Sequence, residues 1–184
     1  MTLILGEGMR SLPPGNDPMR QSMLNAVEMN TILEGLFDVL EAKIPTLAPL
    51  TIGKLAPVMT TGAYGSVILG ALFTGDLEGK LTLTLEWETA FLIAEVLLQS
   101  KAEGFSKESQ EVVEGLFAEA LRQVLQKFQS QGLNLEIHPL PLLTDADVLL
   151  SEQGNPGALR LSLSHATDEI SLYFSIRNRT KKAA

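Results

Sequence analysis

The stretch ILEGLF at residues 32–37 returns 80 residues later as VVEGLF at 112–117. Two further pairs of segments share this offset: LTLT at 81–84 with LSLS at 161–164, and IL at 68–69 with VL at 148–149. One such match could arise by chance, but three in a single register favour an internal duplication. The sequence therefore predicts two similar halves of about 80 residues each.

Each predicted half opens with a long amphipathic helix. Apolar residues recur at three- and four-residue steps over 18–43 and again over 106–130, which is the spacing of one helix face. The pair at 17–18, Asp then Pro, is a typical helix start. The pair at 44–45, Ile then Pro, ends the first helix because a residue before proline avoids helical geometry. A shorter, nearly all-apolar helix is predicted over 89–99.

Strands are predicted after each long helix. The residues at 81–85 alternate strictly between leucine and threonine, which predicts a strand with one buried face, and a turn is expected at 75–79. The full set of predicted strands is 50–60, 64–72, 81–85, 135–138, 148–150, 159–163 and 170–176. The expected fold class is α+β, with the strands of both halves joined into one antiparallel sheet and the two long helices laid on it.

Two glycines occupy matching positions inside the long helices, Gly35 and Gly115. A glycine there costs about 1 kcal/mol relative to alanine. We expect close packing of the two helices against each other, or of a helix on the sheet, to offset this cost at both positions.

Length and composition indicate one soluble globular domain. The chain has 184 residues, a net charge of −8 and no cysteine, which excludes disulfides, thiolate metal sites and cysteine nucleophiles. The acidic balance argues against nucleic acid and anionic membrane surfaces as partners. With neither a basic leader nor a long apolar run, a cytoplasmic location is expected. We predict a loose arm at 1–16, a single domain at 17–178 and a polar tail at 179–184.

Other chemical constellations are weak. His138 and His165 have no partner at metal-ligand spacing, so no metal site is expected. Ser164 and Asp168 beside His165 could suggest a hydrolytic triad, but no nucleophile-elbow motif accompanies them. The glycines at 62 and 65 precede a predicted strand rather than a helix, which indicates a turn and not a phosphate-binding loop.

Several segments resemble one protein family. Residues 67–83, VILGALFTGDLEGKLTL, resemble the central strand–turn–strand of the CheC/CheX/FliY phosphatases of bacterial chemotaxis, and 89–98 is similar to the short helix that follows it. EVVEG at 111–115 falls where the family has its signature helix, and Pro139 and Pro141 resemble its proline-marked strand. The layout is closest to CheX, and the resemblance implies a CheX-like domain with a pseudo-twofold arrangement of two long helices over one sheet.

The resemblance also implies an activity. These phosphatases hydrolyse the aspartyl-phosphate of a response-regulator receiver domain through a signature of Asp or Ser, three residues, Glu, two residues, Asn. Residues three apart are neighbours on a helix surface, so the glutamate and asparagine can enter a partner's active site together. The glutamate is expected to engage a lysine of the regulator, and the asparagine to orient the attacking water. No cofactor of the chain's own is implied, because Mg²⁺ would belong to the regulator.

This sequence departs from that signature at two of its three positions. Glu111 holds the glutamate position, but Glu114 stands where asparagine is expected and Lys107 holds the first position. A carboxylate cannot donate a hydrogen bond and would face the phosphoryl oxygens. In the first half the equivalent pair is Thr31 and Glu34, so neither copy carries a complete signature. Glu111 and Glu114 are the catalytic candidates.

The partner expected from the resemblance is a phosphorylated receiver domain. The candidate contact residues share the polar side of the second long helix, where small side chains would allow close approach: Lys107, Glu111, Glu114, Gly115, Ala118 and Arg122. Three readings remain open: a docking module with weak or degenerate hydrolysis, an active phosphatase using Glu111 with Glu114, and a structural relative of flagellar-switch proteins. A homodimer is possible through the alternating segment 170–176, if that strand is an edge.

Overall fold

The computed structural model describes residues 24–47, 51–57, 67–101, 104–144, 159–165 and 168–178. Its helices and strands, in chain order, are α1 (Ala26–Lys43), β1 (Thr51–Pro57), β2 (Val67–Gly75), β3 (Leu77–Leu85), α2 (Trp87–Leu98), α3 (Lys107–Ser130), β4 (Leu135–Pro139), β5 (Leu159–His165) and β6 (Asp168–Asn178). A single 3₁₀ turn, Pro45–Leu47, follows α1. The predicted strand at 148–150, the arm at 1–16 and the tail at 179–184 lie outside the described residues.

The described strands form one six-stranded sheet in the order β1-β5-β6-β3-β2-β4, with every neighbouring pair antiparallel. The first half supplies α1 with β1, β2 and β3, and the second supplies α3 with β4, β5 and β6. Exchanging β1 with β4, β2 with β5 and β3 with β6 gives the same strand order read from the other edge. The offset of 80 residues gives a different correspondence, because it matches 81–84 of β3 with 161–164 of β5. The α+β class is confirmed, and the descent of the two halves from one duplicated sequence stays a prediction.

The core lies between the two long helices and the middle of the sheet. Leu36 of α1 and Leu116 of α3 meet Leu69 of β2 and Leu83 of β3 around an apolar cavity of about 10 Å³. A space of that size holds at most a single water molecule and no organic ligand. The layer around these described residues is therefore a packed core.

The first helix is shorter than the sequence predicts. It begins at Ala26, where the Asn25 side chain accepts a hydrogen bond from the Glu28 backbone nitrogen and the Glu28 carboxylate accepts one from the Asn25 backbone nitrogen. This reciprocal capping box fixes the start, eight residues after the predicted 18. The end agrees with the prediction, because α1 stops at Lys43, ahead of the proline at 45.

Two strand predictions are corrected. The expected turn at 75–79 narrows to Asp76, because β2 extends to Gly75 and β3 begins at Leu77. Thr82 and Thr84 are buried along with the leucines between them, so β3 is covered on both faces rather than one. β3 lies between β6 and β2 in the middle of the sheet, a position where both faces can be covered.

The predicted edge for a homodimer is also wrong. The segment 170–176 belongs to β6, which pairs with β3 on one side and β5 on the other. Its backbone groups are therefore already used inside the sheet. Among the described strands the edges are β1 and β4, and the alternation of 170–176 shows only which of its side chains share a face of the sheet.

Candidate functional site

The second long helix has a well-defined start. The Ser106 hydroxyl accepts a hydrogen bond from the Ser109 backbone nitrogen at 3.2 Å and caps the helix. Phe105, the residue before this cap, packs edge-on against Trp87 and Phe91 of α2, with ring centroids 5.4 and 5.8 Å apart. These contacts fix the direction in which α3 leaves α2.

The helix presents one buried and one exposed side. Its apolar residues, from Val113 to Phe128, face the core. The residues exposed over its first four turns are Lys107, Glu108, Glu111, Gly115 and Arg122. Four of the six predicted contact residues thus lie on this exposed face, whereas Glu114 and Ala118 are half-buried.

Glu111 is accessible. Its carboxylate lies 3.6 Å from the Lys107 ammonium one turn earlier, and the two side chains are 63% and 88% exposed. An ion pair this exposed contributes little to stability and is readily exchanged for another partner. The carboxylate at the glutamate position of the signature can therefore meet a cation from outside the chain.

Glu114 is engaged within the chain. Its Oε1 accepts a hydrogen bond of 2.7 Å from the backbone nitrogen of Leu142, just beyond the end of β4. One oxygen of this carboxylate is therefore committed to the protein's own backbone. The structure separates the two catalytic candidates, because Glu111 points to the exterior whereas Glu114 links α3 to the sheet.

The two matched glycines, Gly35 and Gly115, differ in how closely other atoms surround them. A Cβ on Gly35 would lie 2.6 Å from Cγ2 of Val124, so close helix packing is confirmed there. A Cβ on Gly115 would meet no atom of the described residues within 4 Å, and the packing explanation is wrong at that position. The offset of 80 residues makes Ile44 the counterpart of Val124, and α1 ends at Lys43, so no turn of α1 covers Gly115.

The equivalent positions of the first half are closed by the end of α3. Thr31 is only 3% exposed, and its hydroxyl accepts a hydrogen bond from Nε2 of Gln131 at 2.8 Å. The Lys127 ammonium lies 3.6 Å from Glu34 and 3.0 Å from Asp38. The hydrogen bond to Asp38 raises the pKa of Lys127, with the attraction of both carboxylates adding to it against the opposing effect of burial.

The sequence did not reveal these internal partners. The ion pairs of Lys127 could have been suspected from the sequence. Glu34 and Asp38 lie one turn apart on the first long helix, which was predicted to lie on the same sheet as the helix of Lys127. The hydrogen bond from the Leu142 backbone nitrogen could not have been suspected, since almost every residue type carries a backbone N–H group. Elsewhere, His138 lies 3.3 Å from Glu136 on the exposed side of β4.

The described residues contain neither a metal-binding cluster nor a membrane-spanning helix. No cluster of three or more histidine, cysteine or acidic side chains in the described part of the chain could hold a metal ion. None of the helices described above is both long enough and apolar enough to span a bilayer.

Comparison with known proteins gives a result at the level of structure. No family model and no curated protein matches the chain. Solved structures do. A CheC-like superfamily protein from Shewanella sp. PV-4 matches with a TM-score of 0.71 at 18% identity, covering 84% of this chain and 98% of its own.

Two CheX structures agree with that match. The chemotaxis protein CheX from Vibrio vulnificus has a TM-score of 0.70 at 16% identity, covering 83% of this chain and 99% of its own. CheX in the CheX–CheY–BeF₃–Mg²⁺ complex from Borrelia burgdorferi has a TM-score of 0.59 at 19% identity, covering 82% and 98%. Likeness at such identities shows the fold alone, and the fold is the one found in CheC-like and CheX proteins, as the resemblance of 67–83 implies.

Proposed function

We propose that this chain docks the receiver domain of a response regulator through the exposed face of α3 and hydrolyses its aspartyl-phosphate weakly or not at all. The observation that carries the proposal is the accessible Glu111 one turn before an uncovered Gly115. The fold supports it, since a CheX protein of this fold is found in complex with CheY. Chemotaxis, or a related two-component pathway, is the setting in which such a protein would act.

The proposed contact has a simple physical basis. Glu111 exchanges its exposed pairing with Lys107 for a cation of the receiver, and this exchange costs little because the existing pair is largely solvated. Gly115 has no side chain, and no atom of the part of the chain that the structure describes lies within 4 Å of a Cβ position there, so a partner's atoms can approach the helix backbone. Any Mg²⁺ and the acyl phosphate come with the receiver.

Weak hydrolysis follows from the residue at position 114. Orienting a water for attack on a phosphoryl group calls for a group that can donate as well as accept, and a carboxylate only accepts. The Glu114 carboxylate is already hydrogen-bonded to Leu142, and its negative charge would face phosphoryl oxygens of the same sign. Each of these features opposes its use in place of asparagine.

The test is the decay of phosphorylated receivers from the same genome, each with and without the chain, together with binding of the same receivers loaded with BeF₃⁻ and Mg²⁺. We expect binding with little acceleration of decay, and a loss of binding in Glu111→Ala. Glu136→Ala is the matched control, because it removes from β4 a carboxylate that is also largely exposed.

The other outcomes separate the remaining readings. Accelerated decay that Glu111→Ala abolishes would make the chain an active phosphatase with an altered signature. A stable complex with flagellar-switch proteins, and none with any receiver, would replace docking by a structural role. Binding that is lost equally in Glu136→Ala would remove α3 as the contact surface.

A further inference from the structure

The backbone after β4 contains an irregularity. Ala71 pairs with Pro139, and the Leu140 nitrogen donates to the Gly70 oxygen at 2.8 Å, which continues the ladder with β2 by one residue. The next pairing joins Ile68 to Leu143. Residues 141 and 142 therefore both lie opposite the single position 69, which is a β-bulge at the sheet edge.

Every backbone donor of this bulged segment is satisfied. Residues 139 and 141 are prolines and have no N–H group. The nitrogens of Leu140 and Leu143 donate to β2 at 2.8 and 3.0 Å. The Leu142 nitrogen has no strand beyond it, because β4 is the edge of the described sheet, and it donates to Glu114 instead.

Glu114 thus joins α3 to the bulge. The Leu142 side chain packs against the hydrophobic core, so both its side chain and its backbone nitrogen are held in place. Pro141, whose carbonyl carbon is bonded to the Leu142 nitrogen, stays exposed. Pro141 is thus the residue directly before the one whose backbone nitrogen binds the Glu114 carboxylate. Glu114 in turn is directly followed in the sequence by the exposed Gly115.

The exposed face of α3 lacks what a specific interface needs at its centre. Its exposed residues are charged or, at Gly115, without a side chain. Specific protein contacts combine a desolvated apolar or aromatic centre with a polar rim. Pro141 is exposed and directly precedes Leu142, whose backbone nitrogen is bonded to Glu114. Its ring supplies an apolar, conformationally rigid surface at low entropic cost.

We propose that Glu114 is a positioning residue, whose carboxylate fixes the Pro141–Leu142 bulge beside α3 so that Pro141 forms the second wall of the receiver-docking surface. This inference rests on the proposed function for its partner and on the hydrogen bond for its internal part. In this role Glu114 does not contact the phosphoryl group. The inference predicts that the length of the side chain and its accepting oxygen matter more for receiver binding than its negative charge.

Two measurements test it together: amide hydrogen exchange at Leu142 in the free chain, and binding of a BeF₃⁻- and Mg²⁺-loaded receiver. Glu114→Gln keeps the length and the accepting oxygen, so both values stay near those of the wild type. Glu114→Ala removes the acceptor, and we expect exchange to rise and affinity to fall by about tenfold each, the scale of one hydrogen bond to a charged group.

The wall itself is tested by a matched pair of prolines. Pro141→Ser weakens receiver binding, by about tenfold if the ring is a central contact. Pro139→Ser makes the same change two residues earlier, where the chain pairs with Ala71, and leaves binding unchanged. Equal losses in both variants would show that the edge as a whole was disturbed and would overturn the assignment of Pro141.

Three results would overturn the proposal. Glu114→Gln losing as much affinity as Glu114→Ala would mean that the charge acts on the partner directly. Faster exchange in Glu114→Ala with unchanged affinity would make the bond structural alone. A wild-type chain that binds no receiver would remove the docking role together with the proposed function, and the exchange rates would still decide whether Glu114 fixes the bulge.

Discussion

A Cβ atom on Gly35 would lie 2.6 Å from Cγ2 of Val124 and 2.9 Å from both the Cα and the backbone nitrogen of that residue. The two long helices therefore meet at a point where α1 offers no side chain and α3 brings its backbone close. Such an approach cannot be relieved by rotating one side chain, because two of the three atoms are main chain. The contact sets how closely α1 and α3 pack over the sheet.

We predict that Gly35→Ala destabilises the protein, although alanine is the better helix former. The added methyl would force the helices apart, and overpacking of this kind costs about 1–3 kcal/mol. Urea unfolding followed by far-UV circular dichroism would show a lower midpoint. A midpoint at or above that of the wild type would mean that the helices can separate without loss.

Gly115→Ala is the matched substitution at the equivalent position of α3, and we predict the opposite sign. Among the residues that the structure describes, no atom lies within 4 Å of the new methyl, so the chain gains the difference in helix propensity, about 0.5–1 kcal/mol. The same urea experiment measures it. If docking uses the open space, this more stable variant binds the receiver more weakly, a combination that general damage to the fold would not produce.

The comparison of these glycines shows what the sequence could and could not predict. The sequence predicted two long helices over one antiparallel sheet. The periodicity of apolar residues indicates each helix and strand, and the offset of 80 residues indicates that the two halves are alike. The sequence also predicted that α1 ends at Lys43, one residue before Ile44, the counterpart of Val124. It did not predict the consequence, which is that the two matched glycines have different surroundings. It also misplaced 170–176 at an edge, since alternation shows which residues share a face and not which strands lie on either side.

The candidate site also has one feature that the sequence predicted and one that it could not predict. The exposure of Glu111 followed from its place on the polar side of an amphipathic helix. The engagement of Glu114 did not, because its partner is a backbone nitrogen 28 residues further along the chain. Only the bulge after β4 turns that donor toward α3, and the bulge itself depends on pairing with β2.

Lys127 gives a prediction about pH. Its pKa is raised from the ordinary 10.5, first by the hydrogen bond to Asp38. A pKa raised by folding contributes stability that is complete below the unfolded pKa and is lost as pH rises through the folded one. The contribution is therefore present at neutral pH and disappears in the alkaline range above 10.5.

The measurement is the free energy of unfolding of the wild type and of Lys127→Met across that range. We expect a constant difference from neutral pH up to the ordinary lysine pKa, and a smaller one above it. Lys107→Met is the control, since that side chain is 88% exposed and an exposed pair contributes little. A difference between wild type and Lys127→Met that does not change with pH would contradict the assigned role of the ammonium charge.

The closed first-half site leads to a prediction about stoichiometry. Thr31 is buried beneath Gln131, and Glu34 faces Lys127, so the first copy of the signature positions has no open face comparable to that of Glu111. We therefore expect one receiver domain per chain in a calorimetric titration with the BeF₃⁻-loaded form. Glu34→Ala should leave the affinity unchanged, because Asp38 still holds Lys127 at 3.0 Å, whereas Glu111→Ala should weaken it. Two receivers per chain, or an equal loss of affinity in both variants, would mean that the end of α3 can open and that both halves bind.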